Sequence, residues 1–290
     1  CWIMGILFCL IAAAIVIYMF VQGLKYVSLS FITTPPTAGF GEADSGGALD
    51  AIIGTGLVAA IGIAIALPLG VAIAVWLSEY GRPFALARIV ESTVEMMAGT
   101  PSIVLALFGT VIFTNSALAW ASRSSGGAVF GHSFIAAGFM LSLVALPLIV
   151  ASTREGLQAI PRHIREASYA AGKTKIATTR RILLPAARPS VATGTMLGLG
   201  RIIGDTAIIV ILLGATLNLE KTDSAFPFNI LQGAGSTLTS YVYSNSPTGD
   251  GNQPTKAYAA ALVLLVFVLL LNACADVIHR RARKAGSWHS

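Results

Sequence analysis

The stretch EASYAAGKTKIATTRRILLP, Glu166 to Pro185, admits two readings that lead to different proteins. Ala167, four spacers and then Gly172-Lys173-Thr174 pass a relaxed nucleotide-binding pattern. A loop of that kind cradles phosphate because it joins a buried strand to a helix N-terminus, so that backbone N–H groups converge on the anion. The residues upstream, GLQAIPRHIREASY, contain a proline and several charges and predict a helix starting near Pro161, a favourable first-turn residue. A turn is expected at Gly172, then a second helix from about Lys175 to Leu184, ended by Pro185. With no strand before the motif, the ATP-site reading lacks its required context.

Composition sets what the stretch is embedded in. Of 290 residues, 55% are hydrophobic and only 11% charged, and the mean hydropathy is +0.77. Soluble domains carry about 25% charged residues. So apolar a chain cannot hide its hydrophobic surface in one globular core, which predicts an integral membrane protein. The chain does not begin with Met, so residues ahead of Cys1 are expected. Cys1, Cys9 and Cys274 lie in or beside apolar runs, without metal-ligand spacing, and read as small packing residues.

Spanning helices need about 20 apolar residues. Six candidates are Trp2–Leu24, Ala51–Leu77, Met96–Trp120, Phe134–Ala151, Val191–Leu217 and Tyr258–Val277. The third is interrupted by Pro101, and an interfacial amphipathic helix over 83–98 followed by a span from Pro101 is the alternative. Glu91 and Glu95 share a face of that segment, either solvated at the interface or lining a path. Fourteen of the nineteen Lys and Arg fall in 78–95, 152–190 and the C-terminal tail, and four fall in the opposite set of connections. The positive-inside rule therefore places both termini and the 154–188 loop in the cytoplasm, and the polar 218–257 loop outside.

Within that frame, Glu166-Ala167-Ser168, three spacers, Gly172, nine spacers, then Ile182-x-Leu184-Pro185 has the spacing of the EAA loop of ABC-importer membrane subunits. Ser168 stands where the family has a second alanine. The resemblance extends along the chain in order: FITTPP (31–36), GGALDAIIGTGLV (46–58), MAGTPSIVLALFG (97–109), GLGRIIGDTAIIVILLGA (198–215) and QPTKAYAAALVLLVFVLLLN (253–272). These resemble the PstA-type permeases of bacterial ABC phosphate importers, more than the related PstC type. The resemblance implies an all-α type I importer fold over a single transmembrane domain, 1–290, with its core at 48–280. It also implies a heterodimer with a PstC-like permease, a PstB-like ATPase dimer that uses ATP and magnesium, and a PstS-like extracytoplasmic binding protein. No cofactor is implied in this chain itself. Glu166, Ala167, Ser168 and Gly172 would then couple to the ATPase, the small residues allowing close approach and Glu166 offering a charged anchor.

The fifth span carries the chemistry. Arg201 falls near the membrane midplane, where a charge is expensive and usually functional. Asp205 lies one turn further on. Gly194 and Gly198 extend the same stripe and permit close helix packing. Guanidinium matches an oxyanion edge bidentately, so Arg201 could meet a small anion with Asp205 balancing it. Alternatively, the two could form a structural ion pair, or Arg201 could pair with an acid on a partner permease. The phosphate family usually has Glu at the Asp205 position. Sulfate or molybdate is an alternative cargo, since the charge pair alone does not choose among oxyanions.

Other classes fit poorly. An intramembrane aspartyl protease wants Gly-x-Gly-Asp, and Ile202-Ile203-Gly204-Asp205 lacks the first glycine; the serine-type Gly-x-Ser-Gly is absent. His132, His163, His279 and His289 lie outside the apolar runs and form no metal motif. Nothing resembles a channel filter. Nor is nucleic acid an expected partner, because the +6 net charge is spent on membrane orientation.

Overall fold

The computed structural model describes residues 2–36, 46–122, 131–214, 228–247, 249 and 253–286. In chain order the helices are α1 (Trp2–Leu24), α2 (Leu29–Thr33), α3 (Leu49–Val75), α4 (Phe84–Gly99), α5 (Ser102–Phe113), α6 (Phe134–Gln158), α7 (Arg162–Ala170) and α8 (Lys175–Thr178), then α9 (Leu184–Ala186), α10 (Arg188–Gly204), α11 (Thr206–Leu212), α12 (Phe228–Gln232), α13 (Leu238–Asn245) and α14 (Pro254–Gly286). Two π-turns, Trp76–Tyr80 and Thr179–Leu183, prolong α3 and α8. Among the described residues, four helices are long and apolar enough to cross a membrane, and six spans result if two bent pairs each count as one.

Those bent pairs resolve the third span, already doubtful at Pro101, and correct the fifth, read as unbroken. Met96–Trp120 is not one helix: α4 and α5 meet at 107°. Pro101 cannot donate a backbone hydrogen bond and pushes the preceding residue out of the α region, and Thr100 sits at φ −75°, ψ 128°. The division at Pro101 follows the alternative of a helix over 83–98 and a second from Pro101, but the second, α5, ends after 12 residues at Phe113. In the fifth span, α10 stops at Gly204, Asp205 is extended at φ −81°, ψ 113°, and α11 begins at Thr206. Pro185 does not end the second loop helix either. The π-turn Thr179–Leu183 precedes it, Leu184–Ala186 remain helical and α10 follows at Arg188. Proline removes one i→i−4 hydrogen bond and crowds the carbonyl four residues back; a wider π-turn opens the space it needs.

The described chain divides into two compact units whose borders fall inside α3, α5, α6 and α14 and at Asp205. One comprises residues 1–58, 106–137 and 206–269. Its core joins Phe31, Ala48 and Ala51 to Leu238, Tyr241, Ala259 and Ala260. Gly54 lets the chain at Ser236 come close, because a Cβ there would collide with the Ser236 carbonyl oxygen. The Leu238 N–H donates to Thr55 Oγ1 at 2.9 Å. Thr237 and Ser240 form a capping box at the start of α13. Residues 236–241 are thus buried although the 218–257 loop reads as polar; residues 218–227, 248 and 250–252 of that loop lie outside the described residues. The Tyr241 phenol is pushed up to about 12 by burial.

The other unit comprises 59–105, 138–205 and 270–290. Ile149 on α6 is fully buried between glycines of two helices. A Cβ at Gly70 would lie 2.7 Å from its Cγ2, one at Gly194 3.1 Å from its Cα, and one at Gly198 3.3 Å from its Cδ1. Between apolar helices in lipid, such fits gain dispersion contacts that a side chain at the glycine would forfeit. Cys9 and Cys274 are exposed rather than packed, and Cys1 lies outside the described residues.

Candidate functional site

Two regions carry the polar chemistry, the 154–188 loop and the break after α10. In the loop, α7 ends in a Schellman turn. The Lys173 N–H donates to the Ser168 carbonyl at 3.2 Å and the Gly172 N–H to Tyr169 at 2.9 Å. Gly172 takes φ +74°, the left-handed region where glycine has no Cβ penalty. Thr174 caps α8 by accepting from the Ala177 N–H at 3.3 Å. The Gly172-Lys173-Thr174 run is therefore a helix-to-helix turn with its threonine occupied as a cap. It follows a helix, as its upstream residues predict, and forms no phosphate cradle.

The loop residues singled out from sequence divide by exposure. Glu166, Ala167 and Gly172 are exposed, together with Tyr169 at 42% and Ile176 at 70%. Ser168 is buried instead, and its hydroxyl shares a 2.8 Å hydrogen bond with Thr178 Oγ1. It is not presented for close approach by another protein; it ties α7 to α8. That explains why a hydroxyl is useful where the family pattern has alanine. Tyr169 and Ile176 were not among the predicted residues, though large apolar side chains in a basic loop were a readable signal.

Below the exposed face the loop is seated firmly. Ile164 and Leu183 join Leu157, Ile160, Ala187 and Val75 in an apolar cluster. Arg165 donates to Glu79 Oε1 through Nε at 3.1 Å and Nη2 at 2.9 Å, and Lys175 Nζ lies 4.7 Å from the centre of the Tyr80 ring. Arg154 pairs with Glu91, so Glu91 is not a lone solvated acid, whereas Glu95 is exposed.

At the break, Arg201 Nη2 lies 3.7 Å from Asp205 Oδ2, too long for a hydrogen bond. Its side chain is 49% exposed, against 3% for Asp205. The pair is loose because Asp205 has left the helix, so the i,i+4 geometry of a continuous span no longer applies. Asp205 immediately precedes α11, a position where aspartate is favoured as a helix cap. The predicted single stripe is also divided. Gly194 and Gly198 are buried against Ile149, Ser152 and Ala145, while Arg201 is uncovered. Thr193, Leu197 and Gly204 are exposed with it, and a Cβ at Gly200 or Gly204 would meet nothing within 4 Å. Neither glycine was singled out from the sequence.

Comparison with known proteins follows the same lines. Residues 66–284 match the family described as binding-protein-dependent transport system inner membrane component. The chain is 34% identical to the phosphate transport system permease protein PstA of Mycobacterium leprae over 80% of this chain and 70% of that one. It is 29% identical to the phosphate transport system permease protein PstC of Xylella fastidiosa over 78% and 69%. Among solved structures, a chain of the bacterial alginate ABC transporter in complex with its periplasmic protein aligns over 97% of this chain and 96% of that chain, with a TM-score of 0.63 at 16% identity. At that identity the likeness speaks for the fold.

Proposed function

The chain belongs to the binding-protein-dependent transport system inner membrane components, and we propose that its cargo is inorganic phosphate. Membership makes it a multi-pass, non-catalytic permease subunit of an ABC importer, with ATP hydrolysed by a separate subunit. The proposal extends to the assembly. A PstC-like second permease completes the path, a PstB-like ATPase dimer binding ATP and magnesium engages the 154–188 loop, and a PstS-like binding protein delivers phosphate from outside. Both termini and the basic loop face the cytoplasm, in line with fourteen of nineteen Lys and Arg falling on that side.

Likeness to phosphate transport permeases supports phosphate as the cargo, and one observation supports an anion path: Arg201 is half exposed in the fifth span. A guanidinium there supplies a planar fork of donors to a tetrahedral oxyanion. Asp205 lies close enough to temper its charge when no anion is bound and to repel phosphate, favouring release over tight binding. The coupling face would be Glu166, Ala167 and Gly172 with Tyr169 and Ile176, while Gly194 and Gly198 hold α10 against α6.

The test is ATP-driven uptake of labelled phosphate by the reconstituted complex, with sulfate and molybdate as competitors. Uptake suppressed by unlabelled phosphate and indifferent to the other two supports the assignment. Preferential competition by sulfate or molybdate overturns it.

A further inference from the structure

Arg165 stands next to Glu166 in the loop motif but turns the opposite way. Its side chain is 19% exposed, and the Glu79 carboxylate it meets is 6% exposed. Beyond its two bonds to Glu79, Nη1 donates to the Ile160 carbonyl at 2.7 Å and Nη2 to the Leu157 carbonyl at 2.8 Å. Leu157 lies in the last turn of α6, where carbonyls lack intrahelical partners and carry the negative end of the helix dipole. One guanidinium thus spans α7, the end of α6 and the π-turn that ends α3. The residue after Glu79 is Tyr80, whose ring carries the Lys175 ammonium. Consecutive residues of one π-turn therefore hold α7 and α8.

We infer that Arg165 is a positioning residue that bolts the coupling loop to the ends of α3 and α6, so that displacement of the loop is delivered to both helices. This rests on reading 154–188 as the segment on which the partner ATPase acts. Docking and transmission are then separate tasks for neighbouring residues. Glu166 and the exposed small residues meet the ATPase; Arg165 meets only its own chain. The path continues within the same unit. From α3 and α6 it reaches Ile149, wedged between Gly70 and the Gly194–Gly198 pair, and so the helix that bears Arg201. A rigid fork suits this task better than a flexible ammonium, because three acceptors are held at fixed positions by one planar group.

The decisive variant is Glu79→Gln with Arg165→Met, which removes both charges and leaves no buried carboxylate without its partner. In the reconstituted complex it is expected to retain the ATPase and its hydrolysis while importing about tenfold less phosphate per ATP. Arg165→Lys falls between, and Glu79→Gln alone is mild because both carbonyl bonds remain. A wild-type ratio of phosphate to ATP in the double variant overturns the inference, and so does loss of the ATPase from the complex, which would make Arg165 a docking residue. A second measurement needs no cargo. Spin labels at His163→Cys and Leu197→Cys, in a background without the three native cysteines, should keep one distance through the ATP cycle in the otherwise unaltered chain. In the double variant the distance should spread. Equal distributions in both refute the bolt whatever the cargo, whereas absence of phosphate uptake by the unmodified complex refutes only the cargo assignment.

Discussion

Replacing Arg201 with glutamine separates a transport role from a structural one, because the geometry bounds what the ion pair can contribute. At 3.7 Å the Coulomb attraction to Asp205 is about 1 kcal/mol in water and about 4 kcal/mol at an effective dielectric near 20. A side chain 49% exposed lies toward the watery limit, and holding it in one rotamer offsets part of the gain. Asp205 also has an interaction besides Arg201, so the substitution does not strip it bare. The expected loss of stability is therefore under about 1 kcal/mol, or a Tm decrease of at most about 4 °C for a chain of this size. Assembly and ATP hydrolysis should persist while phosphate uptake in proteoliposomes falls to background. The assay set is a thermal melt of the purified complex, ATPase turnover and uptake measured on one preparation. Normal uptake refutes the anion-path role. A melt lowered far beyond the bound, with uptake lost in proportion to folded complex, refutes it too, since Arg201 would then be structural.

Gly172→Val should uncouple uptake from hydrolysis through backbone strain alone, about 1–2 kcal/mol for a Cβ in the left-handed region, because a Cβ at Gly172 meets nothing within 4 Å. Gly172→Asn, which tolerates that region, should retain most uptake, and ATPase activity of the isolated partner should be unchanged by either. Gly194→Val should destabilise by about 1–3 kcal/mol through overpacking, since its Cβ would lie 3.0 Å from Ser152 Cβ; Thr193→Val on the exposed side should not, as thermal unfolding can compare. Tyr241 favours its neutral form in the fold. Its contribution to stability should be complete below pH about 10, the ordinary tyrosine value, and be lost as pH rises toward about 12. Phenolate absorbance should lose one late-titrating component when Tyr241→Phe is introduced.

Hydropathy made the long spans legible because a bilayer demands an unbroken run of about 20 apolar residues, and α1 ends where that run ends, at Leu24. The same measure could not see the break at Asp205, since a single charge in an apolar run leaves the average high. Pro101 was visible as a breaker, and the competing arrangement was readable beside it. Pro185 misled because a stop was expected where a π-turn absorbs the proline. The loop motif exposed Glu166 and Gly172 through spacing, but Ser168 and Arg165 take their roles from Thr178 and Glu79, partners ten and eighty-six residues away. In sequence, Arg165 is one of eight basic residues in its loop. Burial of 236–241 was equally hidden, because the Thr237 and Ser240 hydroxyls each accept from the other residue's backbone N–H, a capping arrangement that hydropathy does not register.

The core around Phe31 bears on how the chain is made. Its partners Leu238, Tyr241, Ala259 and Ala260 are synthesised roughly two hundred residues after Phe31, Ala48 and Ala51. At a translation rate of about 5–20 residues per second, the early residues wait about ten seconds or longer for their packing surface. During that interval the amino-terminal third is inserted but unfinished, and a quality-control protease would meet it in that form. A stop codon between Ala51 and Leu238 should therefore leave the surface around Phe31 without its partners, and show as accelerated turnover of the whole polypeptide.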